Sequence, residues 1–358
     1  MGTTLELSEL NTKIGQLFMA GLPGPALDQG TEILIRDYNI GGLILFDRNI
    51  QDPVQVAGLC RDIQDLAMRR HGLPILLAVD QEGGRVARLR KPFTLFPGNS
   101  AIGRDQNPEQ MAIEFAQVTG REMRLVGLNM NMAPVIDVQR GDLEDHLVGR
   151  TFGKDPGKVA LLGEIVIRTL QENGVMAVAK HFPGLGRAAI DPHLDLPRID
   201  VDMEEIETIN LPPFKAAIDA RVTGIMSSHS LYPALDPEHP ATLSPLVMTE
   251  LLREKMGFGG IILSDDLEMG AIAKQWGVAA GALRAFEAGV DVLLMCKEQE
   301  HVLESLDLIR GRILNGEMPF QRLQQSFEKI GEIRMRLLDA WEEISVPKVI
   351  EYFSRRNP

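Results

Sequence analysis

Only two cysteines, Cys60 and Cys296, occur in the 358 residues. Both sit in apolar helical or strand-like surroundings, which excludes a disulfide framework and any metal-type cysteine spacing and predicts free buried thiols in a reducing compartment. Basic residues are in deficit: 37 Lys and Arg against 50 Asp and Glu leave a net charge of −13. A nucleic acid or an anionic membrane would be repelled by that excess, although a local cationic pocket is compatible with it. No apolar run approaches the roughly 20 residues a spanning helix needs. The N-terminus has no basic stretch followed by an apolar core, so it does not read as a secretory signal, and Glu6 spoils a myristoylation pattern after Gly2. Repeats, low-complexity tracts and linker-like shifts in composition are also missing. The expectation from these absences is a cytoplasmic chain with no nucleic-acid or membrane partner.

What is present is a hydrophobic share of 44% with 24% charged residues, the balance of a globular protein long enough to bury a large core. Short apolar runs fall at residues 17–21, 42–46, 75–79, 128–132, 175–179, 224–227, 260–263 and 291–295. Between them lie amphipathic stretches such as 54–69, 108–126, 159–172, 203–218, 244–255 and 271–288. Eight strands in strict alternation with helices predict an α/β fold of the TIM-type (β/α)8 barrel class rather than a doubly wound sheet. The whole chain, 1–358, reads as a single domain, with a barrel core over about 14–300 and extra C-terminal helices and a tail packed outside it over 301–358.

In such barrels chemistry gathers at the C-terminal ends of the strands. The third strand ends in Asp80-Gln81-Glu82-Gly83-Gly84-Arg85-Val86-Ala87-Arg88, the fourth in NMAPVIDV with Arg150 later in its loop, and the fifth in Lys180-His181. The sixth ends in Ser228-His229 and the seventh in Ser264-Asp265-Asp266. Any one of these is ordinary capping or turn chemistry. Five in succession, from a strand register drawn independently of them, point to a functional rim. His71, His146, His239 and His301 lie away from strand ends and read as surface or satisfied residues.

The fifth strand opens the most informative stretch, VMAVAKHFPGLGRAAIDPHLDLP. Pro183, Gly184 and Gly186 break regular structure, so a loop follows, carrying Asp191-Pro192-His193. Residues two apart in an extended segment face the same side, which lets the carboxylate and imidazole meet. A carboxylate fixes the tautomer of a paired imidazole and favours its protonated form, the properties of a general acid/base. A solvated loop histidine behind an Asp-Pro turn is the alternative on these three residues alone.

Taken together, AVDQEGGRVARL, APVIDV, GRTFGKDP, AKHFPGLG, DPH, YPALDPEHPATLSP and ILSDDLEMGAI resemble the glycoside hydrolase family 3 barrel, specifically its single-domain bacterial β-N-acetylglucosaminidases, or β-hexosaminidases. The resemblance implies that Asp265 is the nucleophile, His193 the acid/base and Asp191 its carboxylate partner. It further implies that Asp80, Arg88, Arg150, Lys180 and His181 bind the non-reducing sugar. The chain departs from the family pattern at Leu185, where a second histidine is usual in KHFPGHG, and at Pro192, where serine is usual. Other members carry a sandwich domain that supplies a carboxylic acid/base; the expectation here is that nothing after the barrel does so, in line with the histidine subgroup.

On this reading Asp265, kept anionic by Lys180, Arg150 and Arg88, attacks the anomeric carbon, and His193 protonates the leaving oxygen and then activates water, with net retention. The expected partner is a small carbohydrate, a GlcNAc-containing muropeptide-like sugar from cell-wall (peptidoglycan) fragments, with no cofactor and no metal. Alternatives are a β-glucosidase or β-xylosidase of the same family, a barrel metallohydrolase liganded by His181, His193, His229 and Asp265, or a non-catalytic sugar-binding barrel. The metallohydrolase is disfavoured by the lack of HxH or HExxH spacing.

Overall fold

The computed structural model describes residues 7–141, 147–188 and 190–355. Its strands, in chain order, are β1 (Phe18–Gly21), β2 (Gly42–Leu45), β3 (Leu76–Val79), β4 (Gln81–Gly83), β5 (Val86–Ala87), β6 (Met130–Asn131), β7 (Met176–Phe182), β8 (Gly224–Ser227), β9 (Ile261–Asp266) and β10 (Val292–Met295). Apart from β4 and β5, which form a separate antiparallel hairpin, they close into a parallel barrel in the order β1-β10-β9-β8-β7-β6-β3-β2. The strands read as unbroken apolar runs because both faces are covered, one by the barrel interior and one by helices. Leu76, Leu77, Ala78 and Val79 are all fully buried, as are Ile261, Ile262 and Leu263.

Helices follow the strands as their local sequences dictate. The helix Pro53–His71 starts where the Asp52 carboxylate accepts from the N–H groups of Val54 and Gln55, with Pro53 in its first turn, and ends at Gly72 in the left-handed region, φ +67°. It buries Val56, Leu59, Cys60 and Ile63 against the strands, each such side chain contributing about 1.5–3 kcal/mol. The stretch expected as one helix over 271–288 is instead two, Gly270–Trp276 and Val278–Ala288, broken at Gly277 with φ +76°. The stretch 203–218 is likewise divided, into Met203–Glu205, a π segment Ile206–Asn210 and Leu211–Asp219.

The C-terminal helices Gln299–Leu314 and Phe320–Asp339 lie outside the barrel, as expected. The second is pinned by Arg334, whose buried guanidinium donates to the carbonyls of Pro74 (2.8 Å) and Leu73 (3.3 Å) and to Asn39 Oδ1 (3.1 Å). The tail is itself helical over Val346–Ser354, and it buries Phe353 edge-on against Phe93 at 4.9 Å. Between this segment and the N-terminal face of the barrel opens a cavity of about 750 Å3, lined in part by Asn129, Val175, Thr223 and Trp341. It lies on the face opposite the strand ends.

Three departures from the expected strands matter for the site. β7 and β9 run further than the apolar runs suggested, so Lys180-His181 and Asp265-Asp266 belong to the strands themselves. The fourth strand is shorter, because Pro134 interrupts it. Pairing nonetheless resumes beyond the proline: Ala133 and Pro134 carbonyls accept from Val178 (3.0 Å) and Lys180 (3.2 Å), and Ile136 donates to the Lys180 carbonyl (2.9 Å). That irregular pairing carries Asp137 up to His181.

Candidate active site

The hairpin after β3 builds one wall. Gln81 clamps it with its side-chain amide, which donates to the Leu89 carbonyl (3.1 Å) and accepts from the Leu89 N–H (2.9 Å). Asn131, at the end of β6, holds the Gln81 main chain the same way, at 3.0 Å in both directions. Folding the chain back brings the Arg88 N–H to the Asp80 carbonyl at 3.4 Å and turns Glu82 inward.

The charged groups then interlock. Lys180 Nζ lies 2.7 Å from Asp80 Oδ1 and 2.8 Å from Glu82 Oε1, and Arg150 takes both Glu82 oxygens in a bidentate pair, each at 2.8 Å. Burial alone would raise the Glu82 carboxyl, but Arg150 and Lys180 outweigh it and hold the group far below the usual carboxylate range. Burial likewise opposes the charge on Lys180, and Asp80 and Glu82 overcome it, raising the ammonium. The result is a rigid alternating chain, Asp80–Lys180–Glu82–Arg150, in which each charge is paired and little is free to move.

His181 is oriented by Asp137. The carboxylate accepts from the ring Nδ1 (2.8 Å), from the His181 N–H (3.2 Å) and from the Leu185 N–H (2.6 Å). Leu185 itself is buried at 3% exposure, so its side chain has joined the core, at the position where the family pattern has a second histidine.

At the end of β9, two adjacent aspartates have opposite environments. For Asp265, burial raises the carboxyl, but His229, His181, the Asp266 N–H at 2.8 Å and Lys180 together lower it more, leaving it below the ordinary range. For Asp266, burial and the neighbouring Glu268 and Asp265 charges win over its hydrogen bonds, and the carboxyl is pushed up to about 6. Asp266 Oδ1 accepts from Glu268 N (3.1 Å) and Cys296 N (3.3 Å), which fixes the turn after the strand. Buried His229 is pushed below its ordinary value, chiefly by burial with Asp265 opposing; its Nε2 donates to the Asp266 carbonyl (3.0 Å) and its Nδ1 is hydrogen-bonded to the Thr242 hydroxyl (2.7 Å). Both ring nitrogens are thereby spent, leaving no lone pair for the metal that the metallohydrolase alternative requires.

The raised Asp266 carboxyl gives a stability prediction with a definite sign. A folded-state value of about 6 against an ordinary value of 3.8 means that the stabilisation from its proton is complete below the unfolded value and is lost as pH rises through 6. Asp266→Asn, a neutral mimic that keeps the acceptor oxygen, should therefore gain on wild type by up to roughly 3 kcal/mol between about pH 4 and pH 7. Thermal melts across that range check it; parallel pH profiles for the two proteins would refute it.

On the loop after β7, His193 Nδ1 meets Asp191 Oδ1 at 2.7 Å, and the same oxygen accepts the His193 N–H at 2.9 Å. Pro192 preorganises this two-residue turn. His193 is 64% exposed, and its loop docks on the turn that follows β9, where the Gly270 N–H donates to the His193 carbonyl at 3.1 Å. The loop enters beside the strand-four segment: a Cβ on Gly186 would lie 1.9 Å from the Val138 carbonyl oxygen, and the Gly186 carbonyl accepts from Arg140 at 2.9 Å.

Of the predicted residues, Asp80, Arg150, Lys180 and His181 are brought together, with Asp265 alongside. The groups that lower the Asp265 carboxyl most include His229 and His181 beside the expected Lys180, while Arg150 lies against Glu82 and Arg88 against Asp47 at 3.0 Å. Arg88 keeps a buried Nε with no partner among the described residues. Glu82, Asp137 and His229 were given no part in the sugar site, although the signal was present: Glu82 stands two residues from Asp80, Asp137 interrupts the apolar run APVIDV, and His229 follows the sixth strand. His71, His239 and His301 are satisfied, by the Ile35 carbonyl, Asp236 and Glu268 respectively, while His146 lies outside the described residues.

The profile of the glycosyl hydrolase family 3 N-terminal domain matches residues 9–333. The chain belongs to glycosyl hydrolase family 3. As a family 3 member it is a glycoside hydrolase, and its relatives agree. A β-hexosaminidase of Nitrosomonas eutropha is 33% identical over 91% of this chain and 95% of its own length. A β-hexosaminidase A of Pseudoalteromonas piscicida is 34% identical over 85% of this chain, which spans only 54% of that protein. Among solved structures, the family 3 β-N-acetylglucosaminidase of Paenibacillus sp. FPU-7 superposes with a TM-score of 0.91 at 35% identity, over 99% of this chain and 69% of that one. No helix among the described residues is long and apolar enough to cross a membrane.

Proposed function

We propose that this family 3 chain is a retaining exo-β-N-acetylglucosaminidase that releases terminal β-linked GlcNAc, with cell-wall (peptidoglycan) fragments as its source of substrate. The observation that carries this reading is the formed Asp191–His193 pair on the loop beside β9, next to an ionised Asp265. The related enzymes' names supply the sugar. Both cysteines are free and buried, in keeping with a reducing, cytoplasmic setting.

The chemistry follows from the geometry. Asp265 attacks the anomeric carbon while His193 gives its proton to the departing oxygen, forming a glycosyl ester on Asp265. His193, now neutral, takes a proton from water as that water attacks the same carbon, and the Asp265 carboxylate leaves. Two inversions give retention. The usual retaining pair is two carboxylates; here an imidazole takes the acid/base role and Asp191 holds its tautomer. Asp80, Lys180 and Arg150, preorganised by Glu82, and His181, preorganised by Asp137, would bind the sugar hydroxyls, with Arg88 beside Asp47 at the rim.

A panel of 4-nitrophenyl β-glycosides tests the assignment, with expected preference for the N-acetylglucosaminide, no requirement for added metal and a β-anomer as the first-formed product by proton NMR. An α-anomer first, or a clear preference for plain glucosides or xylosides, would overturn it in favour of the alternatives.

A further inference from the structure

We propose that Gly270 is the seat of the acid/base loop, a positioning residue that ties the Asp191–His193 pair to the strand bearing Asp265. The proposal rests on the assignment of His193 as acid/base made above. The Gly270 N–H donates to the His193 carbonyl at 3.1 Å, and the Ala271 N–H donates to the Pro192 carbonyl at 3.1 Å. These two amides open the helix Gly270–Trp276, so no earlier helical carbonyl competes for them.

The glycine is there for space. Gly270 is not among the glycines with positive φ, so its backbone conformation makes no demand for glycine. A Cβ at this position, however, would lie 2.6 Å from the Leu194 carbonyl oxygen, 2.8 Å from that of His193 and 2.9 Å from the Leu194 carbonyl carbon. All three are main-chain atoms, so no side-chain rotation relieves the clash; the loop itself has to lift.

Lifting it moves the imidazole, because the turn is closed on itself. Asp191 accepts from the N–H groups of Leu194 (2.9 Å) and Asp195 (3.2 Å) through its carbonyl, and from His193 through its carboxylate. On the other side, the Asp266 carbonyl accepts from Met269 N (3.0 Å) and His229 Nε2 (3.0 Å), which braces the five-residue step from Asp265 to Gly270. Two rigid turns therefore meet at one glycine, and the spacing of nucleophile and acid/base is set through main chain. His193 is 64% and Leu194 65% exposed, so besides the buried Pro192 the turn is held through main chain.

Gly270→Ala, compared with His193→Ala and the double variant, tests the seat. A displacement of about 1 Å costs on the order of 100-fold where positioning matters. The expected result for Gly270→Ala is a loss of that order in kcat/KM for a glycoside with a poor, basic leaving group, near wild-type rates on a dinitrophenyl glycoside, and no further loss when it is added to His193→Ala. Equal slowing of both substrates, or losses that multiply in the double variant, would overturn the seat. If His193→Ala itself shows no dependence on leaving group, the acid/base assignment falls and the proposal with it, a distinguishable failure. Amide hydrogen exchange on the unaltered protein decides independently of any variant's folding: protection at Gly270 and Ala271 is expected, and exchange as fast as in free helix-opening amides would refute the contact.

Discussion

Asp265→Asn is expected to abolish turnover and leave the fold intact. The amide keeps the side-chain volume and the acceptor for the Asp266 N–H, but it removes the anionic oxygen that attacks the anomeric carbon, so kcat should fall by about 10^4-fold or more. The neighbouring Asp266→Asn is the comparison that gives this result its meaning. Asp266 directs its carboxylate at the Glu268 and Cys296 N–H groups, contacts an asparagine oxygen reproduces, so its variant should stay within about tenfold of wild type. The two environments argue the same way: His229, His181 and Lys180 keep Asp265 ionised, while Asp266 has a carboxyl near 6 that is only partly ionised in mild acid. Steady-state rates with a 4-nitrophenyl N-acetylglucosaminide settle it, and an inactive Asp266→Asn beside an active Asp265→Asn would show that the nucleophile has been placed one residue too early.

His193→Ala should produce the second large effect, and one that depends on the substrate. Protonation matters most when the departing oxygen is basic, so loss of the imidazole should slow cleavage of disaccharide-like substrates by roughly 10^2- to 10^4-fold. Dinitrophenyl glycosides, whose leaving group needs no proton, should lose far less in the first step. The pH profile should flatten as the titrating acid/base disappears. Asp191→Ala should show a milder form, since the ring survives but loses the partner that holds its tautomer at 2.7 Å. A uniform loss across leaving groups would make His193 a binding or structural residue and send the search for the acid/base elsewhere.

These expectations stand on features that differed in how readily they could be read. The barrel was legible because a strand buried on both faces must be apolar throughout, and eight such runs punctuate this chain whatever it folds against. The Asp191–His193 pair was legible for a similar reason: it is local, closed by a two-residue turn that Pro192 narrows. Asp265 and Asp266 stood out together as charges ending an apolar run, and the family resemblance implied Asp265 as the nucleophile. The same signal marked Asp137, which went unassigned because its partner, His181, lies 44 residues away in the chain and meets it only through the irregular pairing around Pro134.

By itself, then, the sequence determined the strand count, the rim on which chemistry gathers and the residues with chemistry to offer, since all of these follow from local composition and period. The tertiary structure alone decided how the charges are shared. Nothing in the chain tells which carboxylates the arginines meet, and only the hairpin after β3 and the loop after β2 bring Arg150 to Glu82 and Arg88 to Asp47. Two adjacent aspartates are chemically identical in the chain, yet His181 and Lys180 of β7 and His229 beyond β8 drive the Asp265 carboxyl down, while burial and the Glu268 and Asp265 charges drive the Asp266 carboxyl up. That Gly270 and Ala271 meet the carbonyls of His193 and Pro192 was likewise invisible in the sequence, because the contacts join backbone to backbone across about 80 residues and no side-chain pattern records them.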